Sequence, residues 1–249
     1  MVQYYIGLSF LSTKQAKTRL ELRTEARRVL SGLEGRSITD NEIAKEENGR
    51  PFFPGRETDF NISHSKNMVV VSLIKGQNPQ PRTEARSARH EVQGSPLHQK
   101  LKMRTGCDIE FVRPRVNASL IAEEFFSSAE RDYVFPHDKK HYDAARFFHI
   151  WTLKECFLKL RGFSVFDMAK APSFIDTAGR LHFVFDDALF ILYELSDGGS
   201  ERYVLASAIE GDRQLQPTIQ WFSLSSLPHR ILIDNISDSQ YHNDEEGMV

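Results

Sequence analysis

Apolar and polar positions alternate legibly in two stretches of the chain, separated by one that shows no period. Residues 3–10, a run of mostly apolar residues interrupted by Gly7, read as a strand. Residues 14–33 follow a helical period, with Leu22, Ala26, Val29, Leu30 and Leu33 on one face and Arg19, Arg23 and Arg27 in a separate stripe. Asn48-Gly49-Arg50-Pro51 is turn chemistry, since Asn-Gly tolerates positive φ and Pro stops regular structure. Residues 59–74 predict a strand, a polar turn through Ser63-His64-Ser65-Lys66-Asn67, and a Val-rich strand. A second half opens with a strand over 106–112. Helices over 120–135 and 142–161 follow, then strands near Phe174 and over 181–185, 190–195, 203–209 and 218–224. Each half therefore reads as a helix packed on an antiparallel sheet, an α+β arrangement of two similar halves. Residues 76–105, with Pro79, Pro81, Gly94 and Pro96, read as a flexible insert. The expected division is 1–75, insert 76–105, 106–233, and a polar tail over 234–249.

Composition narrows the class without naming it. The chain of 249 residues is 40% hydrophobic and 27% charged, ordinary for a globular protein. No apolar run approaches the roughly 20 residues that span a bilayer, and the apolar start lacks a basic leader. Cys107 and Cys156 are too few for a disulfide framework or a cysteine zinc site, so a cytoplasmic setting is expected. The net charge of −2 conceals an asymmetry: residues 1–105 carry 18 Lys+Arg and 11 Asp+Glu (+7), the remainder 14 and 23 (−9). Chance and an acidic tail account for this, or else a basic half meets phosphates and an acidic half supplies carboxylates.

Three constellations carry candidate chemistry. Asp108 and Glu110, two apart on a strand, project to one face while Ile109 turns inward. Such a pair is either solvated at an edge or bridged by a hard cation, and oxygen ligands of this kind suit Mg²⁺. In Trp151-Thr152-Leu153-Lys154-Glu155 followed by Lys159, Glu155 and Lys159 share a helix face with Phe148 and Thr152. They are either an ordinary i,i+4 ion pair or a third metal carboxylate with a cation aimed at phosphate. Asn61-Ile62-Ser63-His64-Ser65 offers hydroxyls and an imidazole to a phosphate, or is a solvated turn. There is no Walker-type loop, no Gly-x-Gly-x-x-Gly and no Gly-x-Ser-x-Gly elbow. His137 and His141 have zinc-like spacing without the accompanying Glu of a metalloprotease.

Taken in order, these pieces resemble one family. Asn48-Gly49-Arg50-Pro51, Phe60-Asn61-Ile62-Ser63-His64-Ser65, Gly106-Cys107-Asp108-Ile109-Glu110, Phe125-Phe126-Ser127 with Glu130, and Trp151 to Lys159 are similar to the signatures of the Sfp-type 4′-phosphopantetheinyl transferases. The resemblance spans roughly residues 19–165. It implies a pseudo-dimeric fold that binds coenzyme A between its halves and moves 4′-phosphopantetheine to a serine of an apo acyl or peptidyl carrier protein. Asp108, Glu110 and Glu155 would hold Mg²⁺, and Lys159 would contact phosphate. Ser63 and His64, with Arg28, would hold the 3′-phosphate, and Gly49, Arg50 and Pro51 the adenine. Glu155, or Glu110 through a water, would be the base. A monomer with no nucleic-acid or membrane partner is expected. The alternatives are a metal-dependent phosphohydrolase with the same carboxylates and a non-catalytic coenzyme A or carrier-binding module. The insert, with Arg82, Arg86, Arg89, Lys100, Lys102 and Arg104, is unlike the family's short connection. It is either an idle linker or a segment that steers an acidic carrier.

Overall fold

The Val-rich run after the polar turn forms β5 (Met68–Lys75), whose residues are buried on both faces. Met68, Val70 and Ile74 point one way, Val69, Val71 and Leu73 the other, and each set packs into a different cluster. A strand apolar on both faces needs a layer on each side, and this sets the architecture of the computed structural model. It describes residues 2–11, 18–76, 103–136, 142–185, 188–196, 201–223 and 232–236.

On one side of β5 lies α1 (Arg19–Glu34), whose Val29, Leu30 and Leu33 cover Val71, Leu73 and Phe60. The helix starts at a capping box in which Thr18 accepts from the backbone N–H of Glu21 and Glu21 caps Thr18 in return. It ends at Gly35 with φ 73°, which a residue lacking Cβ adopts without strain. On the other side of β5 is a second sheet. Tyr4, Ile6 and Leu8 of β1 (Gln3–Phe10) join Met68 and Val70 against Cys107, Ile109, Ile191 and Leu205 across the interface. The outer face of that second sheet is covered by α4, described below, so four layers run helix, sheet, sheet, helix.

The two halves repeat one connectivity. In the first, β1 leads through α1, a short pair β2 (Ala44–Lys45) and β3 (Pro51–Phe52), and the hairpin of β4 (Thr58–Ser65) with β5, giving the order β1-β5-β4. In the second, β6 (Arg104–Phe111) leads through α2 (Ala118–Phe125), α3 (Ser128–Val134) and α4 (Ala144–Arg161). It continues to β7 (Val184–Phe185), β8 (Ala188–Ser196) and β9 (Arg202–Glu210), giving β6-β9-β8. All these pairs are antiparallel. The α+β class expected from the sequence is the one observed.

Several details differ from expectation. The stretch expected as one helix over 120–135 is two, α2 and α3, broken at Phe126-Ser127, where Ser127 and Glu130 form a second capping box. Phe174 lies in no strand; only a single bridge, Ile175 to Leu181, marks that region. β10 (Thr218–Ser223) leaves the second half and pairs in parallel with β1 of the first sheet, so the C-terminal segment crosses the expected division. β11 (Leu232–Asn235) pairs with β8, which places Asp234 and Asn235, expected in a polar tail, in a sheet. Arg104, counted with the steering insert, opens β6 and bonds Glu46 at 3.4 Å. The other insert residues (77–102), His137, His141 and residues 237–249 lie outside the described residues. Among the described residues no helix is long and apolar enough to cross a membrane.

Candidate active site at the seam of the two sheets

β4 ends the first sheet and β6 ends the second, and the two edges meet. An open edge leaves every other N–H of β6 without a backbone partner, and buried donors must be satisfied. Alternate side chains of β4 satisfy them in a constant register. Asp59 Oδ2 accepts from Thr105 N (2.8 Å), Asn61 Oδ1 from Cys107 N (3.3 Å), Ser63 Oγ from Ile109 N (3.4 Å) and Ser65 Oγ from Phe111 N (3.0 Å). The Asn-x-Ser-His-Ser motif is thus a polar zipper between the halves, and His64, at the opposite parity, is left exposed.

The same parity on β6 puts Gly106, Asp108 and Glu110 on the face towards α4. A Cβ on Gly106 would lie 2.7 Å from the Cys156 carbonyl oxygen and 2.9 Å from the Leu160 nitrogen, both helix backbone. Only glycine allows this approach, and the approach brings the last turns of α4, with Glu155 and Lys159, over Asp108. Gly106→Ala is therefore expected to lower stability by about 1–3 kcal/mol, a fall of some 2–4 °C in Tm per kcal/mol for a chain of this size. It should cost activity as well by lifting α4; thermal denaturation at wild-type Tm would contradict this packing.

Lys159 Nζ lies 2.6 Å from Asp108 Oδ1 and 2.9 Å from Ser63 Oγ, and Ser63 Oγ donates to the same Asp108 oxygen at 2.7 Å. Burial alone would lower the Lys159 pKa, but Asp108 above all reverses this and holds it above the ordinary lysine value. Asp108 Oδ2 is buried and has no hydrogen-bond partner among the described residues. Glu110 Oε2 accepts from Ser65 Oγ at 2.9 Å, and burial with the Asp108 charge raises its pKa. Glu155 is pushed up to about 7 by burial and then by Asp108, with Lys159 pulling the other way and Glu110 adding to the rise. The three expected carboxylates therefore share one electrostatic site. Even so, among the described residues no group of three His, Cys, Asp or Glu side chains is drawn together as a ready metal cage.

Other expected residues have other occupations. The buried Arg50 guanidinium pairs with Asp59 at 2.5 Å and donates to the carbonyls of Thr105 (2.8 Å) and Lys159, so it braces β4, β6 and α4. Gly49 (φ 86°) and Pro51 shape the turn around it, and Asn48 fastens that turn to Gly162 O at 2.7 Å. Arg28 is held by Glu25 at 2.5 Å and by Phe222 O at 2.8 Å, at the α1–β10 contact. The Ser63 hydroxyl is bonded by Ile109 N, Lys159 and Asp108. A polar residue type in a motif does not reveal which internal partners claim it.

Two residues outside the expected set stand beside the site. Arg115 places its guanidinium 5.2 Å from the Trp151 ring centroid, and its charge lowers Glu110 and Glu155. Arg19, on the helix stripe, is among the cations around His64. His64 is exposed by surface area yet loses part of its hydration to its neighbours, and this partial desolvation first, then Lys159, with Arg19 adding to them, depresses its pKa. Lys154, in the middle of the Trp-x-x-Lys-Glu motif, points the other way and pairs with Glu130 at 3.1 Å in the core.

Comparison with known proteins agrees with this geometry. Residues 104–208 match the model of the 4'-phosphopantetheinyl transferase superfamily. The chain is 32% identical over 136 residues to the 4'-phosphopantetheinyl transferase AcpT of Escherichia coli strain K12, covering 53% of this chain and 54% of that one. It is 30% identical over 138 residues to AcpT of Salmonella typhimurium, covering 55% and 58%. A Haemophilus influenzae protein provisionally named for the same activity is 31% identical over 134 residues, covering 54% and 46%. The chain thus spans about half the length of the curated relatives it matches. The matched region, less than half of the chain, carries β6, α4 and the carboxylates between them, and there the chain is similar to the 4'-phosphopantetheinyl transferase superfamily.

Proposed function

We propose that this chain transfers 4′-phosphopantetheine from coenzyme A to a serine of an apo acyl or peptidyl carrier protein, with Mg²⁺, releasing adenosine 3′,5′-bisphosphate. The observation that carries the reading is the meeting of Asp108 and Glu110 of β6 with Glu155 and Lys159 of α4, inside the stretch that matches the superfamily.

The carboxylates fit a magnesium ion. Asp108 keeps a buried oxygen without a partner among the described residues, and burial, with repulsion from Asp108 added to it, raises Glu110 and Glu155. Both features are relieved by a cation. Mg²⁺ is commonly held by one or two carboxylates together with waters and substrate phosphates, so a preformed cage of three is not required. Asp108, Glu110 and Glu155 would hold it, and when bound it would neutralise charge on the pyrophosphate.

The chain's own groups supply the rest. Lys159 donates to the phosphoryl oxygens and offsets charge that develops on the departing adenosine bisphosphate. Glu155, pushed up to about 7 first by burial and then by Asp108, accepts the proton of the carrier serine. His64, exposed and close to the charges of Lys159 and Arg19, receives the 3′-phosphate, and Gly49 and Pro51 border the adenine. We place the enzyme as a monomer acting on carrier protein and coenzyme A, without nucleic-acid or membrane partners.

A 3′-phosphate contact at His64 means that His64→Ala raises KM for coenzyme A about 10-fold while leaving 3′-dephospho-coenzyme A almost unaffected. Equal changes on both substrates would remove His64 from that role. The reaction type is tested by incubating enzyme, coenzyme A and Mg²⁺ with and without apo carrier. Release of adenosine 3′,5′-bisphosphate is expected only with the carrier; equal release without it would make the chain a phosphohydrolase.

A further inference from the structure

The hydroxyls of Ser63 and Ser65 make the same pair of contacts one strand period apart. Each accepts from a backbone N–H of β6, Ile109 at 3.4 Å and Phe111 at 3.0 Å. Each donates to the carboxylate of the residue just before that N–H, Asp108 at 2.7 Å and Glu110 at 2.9 Å. A hydroxyl has one proton and two lone pairs. On Ser63 both lone pairs are taken, by Ile109 N–H and by Lys159 Nζ at 2.9 Å, so its single proton is left for Asp108.

We propose that Ser63 and Ser65 are positioning residues that fix the rotation of Asp108 and Glu110 from the opposite half of the molecule. The inference rests on the proposed metal-carboxylate site. The Asp108 carboxylate rotates about two side-chain bonds and that of Glu110 about three, and ion binding by Asp108 needs the free Oδ2 held in one direction. Ser63 and Lys159 both occupy Oδ1, which leaves Oδ2 for an ion. Ser65 likewise fixes one oxygen of Glu110. Because the serines belong to β4 and the carboxylates to β6, the site is ordered only while the two sheet edges are in register. Asn61 supplies the control that nature built into the same zipper. It accepts from Cys107 N at 3.3 Å and touches neither carboxylate.

The test compares Ser63→Ala, Ser65→Ala and Asn61→Ala in the full chain. Two properties are read: Mn²⁺ binding, followed by electron paramagnetic resonance with coenzyme A present, and kinetics on coenzyme A and its 3′-dephospho analogue. Groups that orient metal ligands typically change metal affinity 10–100-fold. Ser63→Ala and Ser65→Ala are expected to weaken Mn²⁺ binding about 10-fold or more and to lower kcat equally on both substrates. Asn61→Ala is expected to lower Tm at least as far as either serine variant while Mn²⁺ affinity is retained. Wild-type Mn²⁺ affinity in the serine variants would overturn the proposal. So would a KM rise for Ser63→Ala confined to coenzyme A, which would mark a phosphate contact. A wild-type chain that binds no Mn²⁺ contradicts the proposed metal site itself and the inference with it; a loss confined to the variants bears on the serines alone.

Discussion

Replacing Asp108 by Asn is expected to reduce kcat for transfer by roughly 10²–10³-fold, the loss that follows removal of one preorganised electrostatic group. The substitution keeps the shape of the side chain and an oxygen able to accept from Ser63 and Lys159, so the seam of β4 and β6 should persist. What is lost is the negative charge that the ion would require, and with it the counter-charge that holds Lys159 above its ordinary pKa. The variant should therefore unfold within a few degrees of wild type while transferring almost nothing at any Mg²⁺ concentration. Full turnover at saturating Mg²⁺ would remove Asp108 from the site. A collapse of Tm would recast it as a structural acid.

The largest effect on stability is expected at Glu130, far from the reaction. Its carboxylate is fully buried and caps α3 through Ser127 N at 2.7 Å, accepts from Phe174 N at 2.9 Å, and pairs with Lys154 at 3.1 Å. Lys154 also reaches Pro172 O at 3.2 Å, so one ion pair ties α3, α4 and the segment leading to β7. Glu130→Ala leaves a buried ammonium without its partner, and removal of one member of such a pair costs about 3–5 kcal/mol. Chemical denaturation should show that loss, and the double variant Glu130→Gln with Lys154→Met should recover part of it. A Glu130→Ala protein of unchanged stability would contradict the pairing.

These two residues also show what the sequence discloses and what it hides. Lys154 and Glu130 belong to separate motifs, and nothing in the spacing of either says that they meet. The Asp-x-Glu pair was legible as a shared strand face because its period is local. The union of that face with Glu155 and Lys159 was reached through family resemblance, and its physical basis is Gly106, which admits the α4 backbone to the strand. The capping boxes Thr18-x-x-Glu21 at the start of α1 and Ser127-x-x-Glu130 at the break before α3 are local signals, but the apolar period followed in the sequence placed helices over 14–33 and 120–135 instead. By contrast, the pairing of β10 with β1 joins positions more than 200 residues apart, Tyr5 with Thr218. Strand patterning in either segment carries no address for its partner. The internal partners of Ser63, Arg50 and Arg28 were hidden for a related reason: hydroxyl and guanidinium groups suit phosphates and internal partners equally, and only the folded register shows the internal ones.

Transfer of the phosphopantetheine arm is read directly by intact-mass spectrometry of the carrier. Purified apo acyl and peptidyl carrier proteins are incubated with the enzyme, coenzyme A and Mg²⁺, with Asp108→Asn in parallel. At least one carrier is expected to gain the mass of a single phosphopantetheinyl group on its serine with wild type and to remain unmodified with the variant. Carriers that all stay at their apo mass while coenzyme A is cleaved, or equal modification by both proteins, would contradict the account.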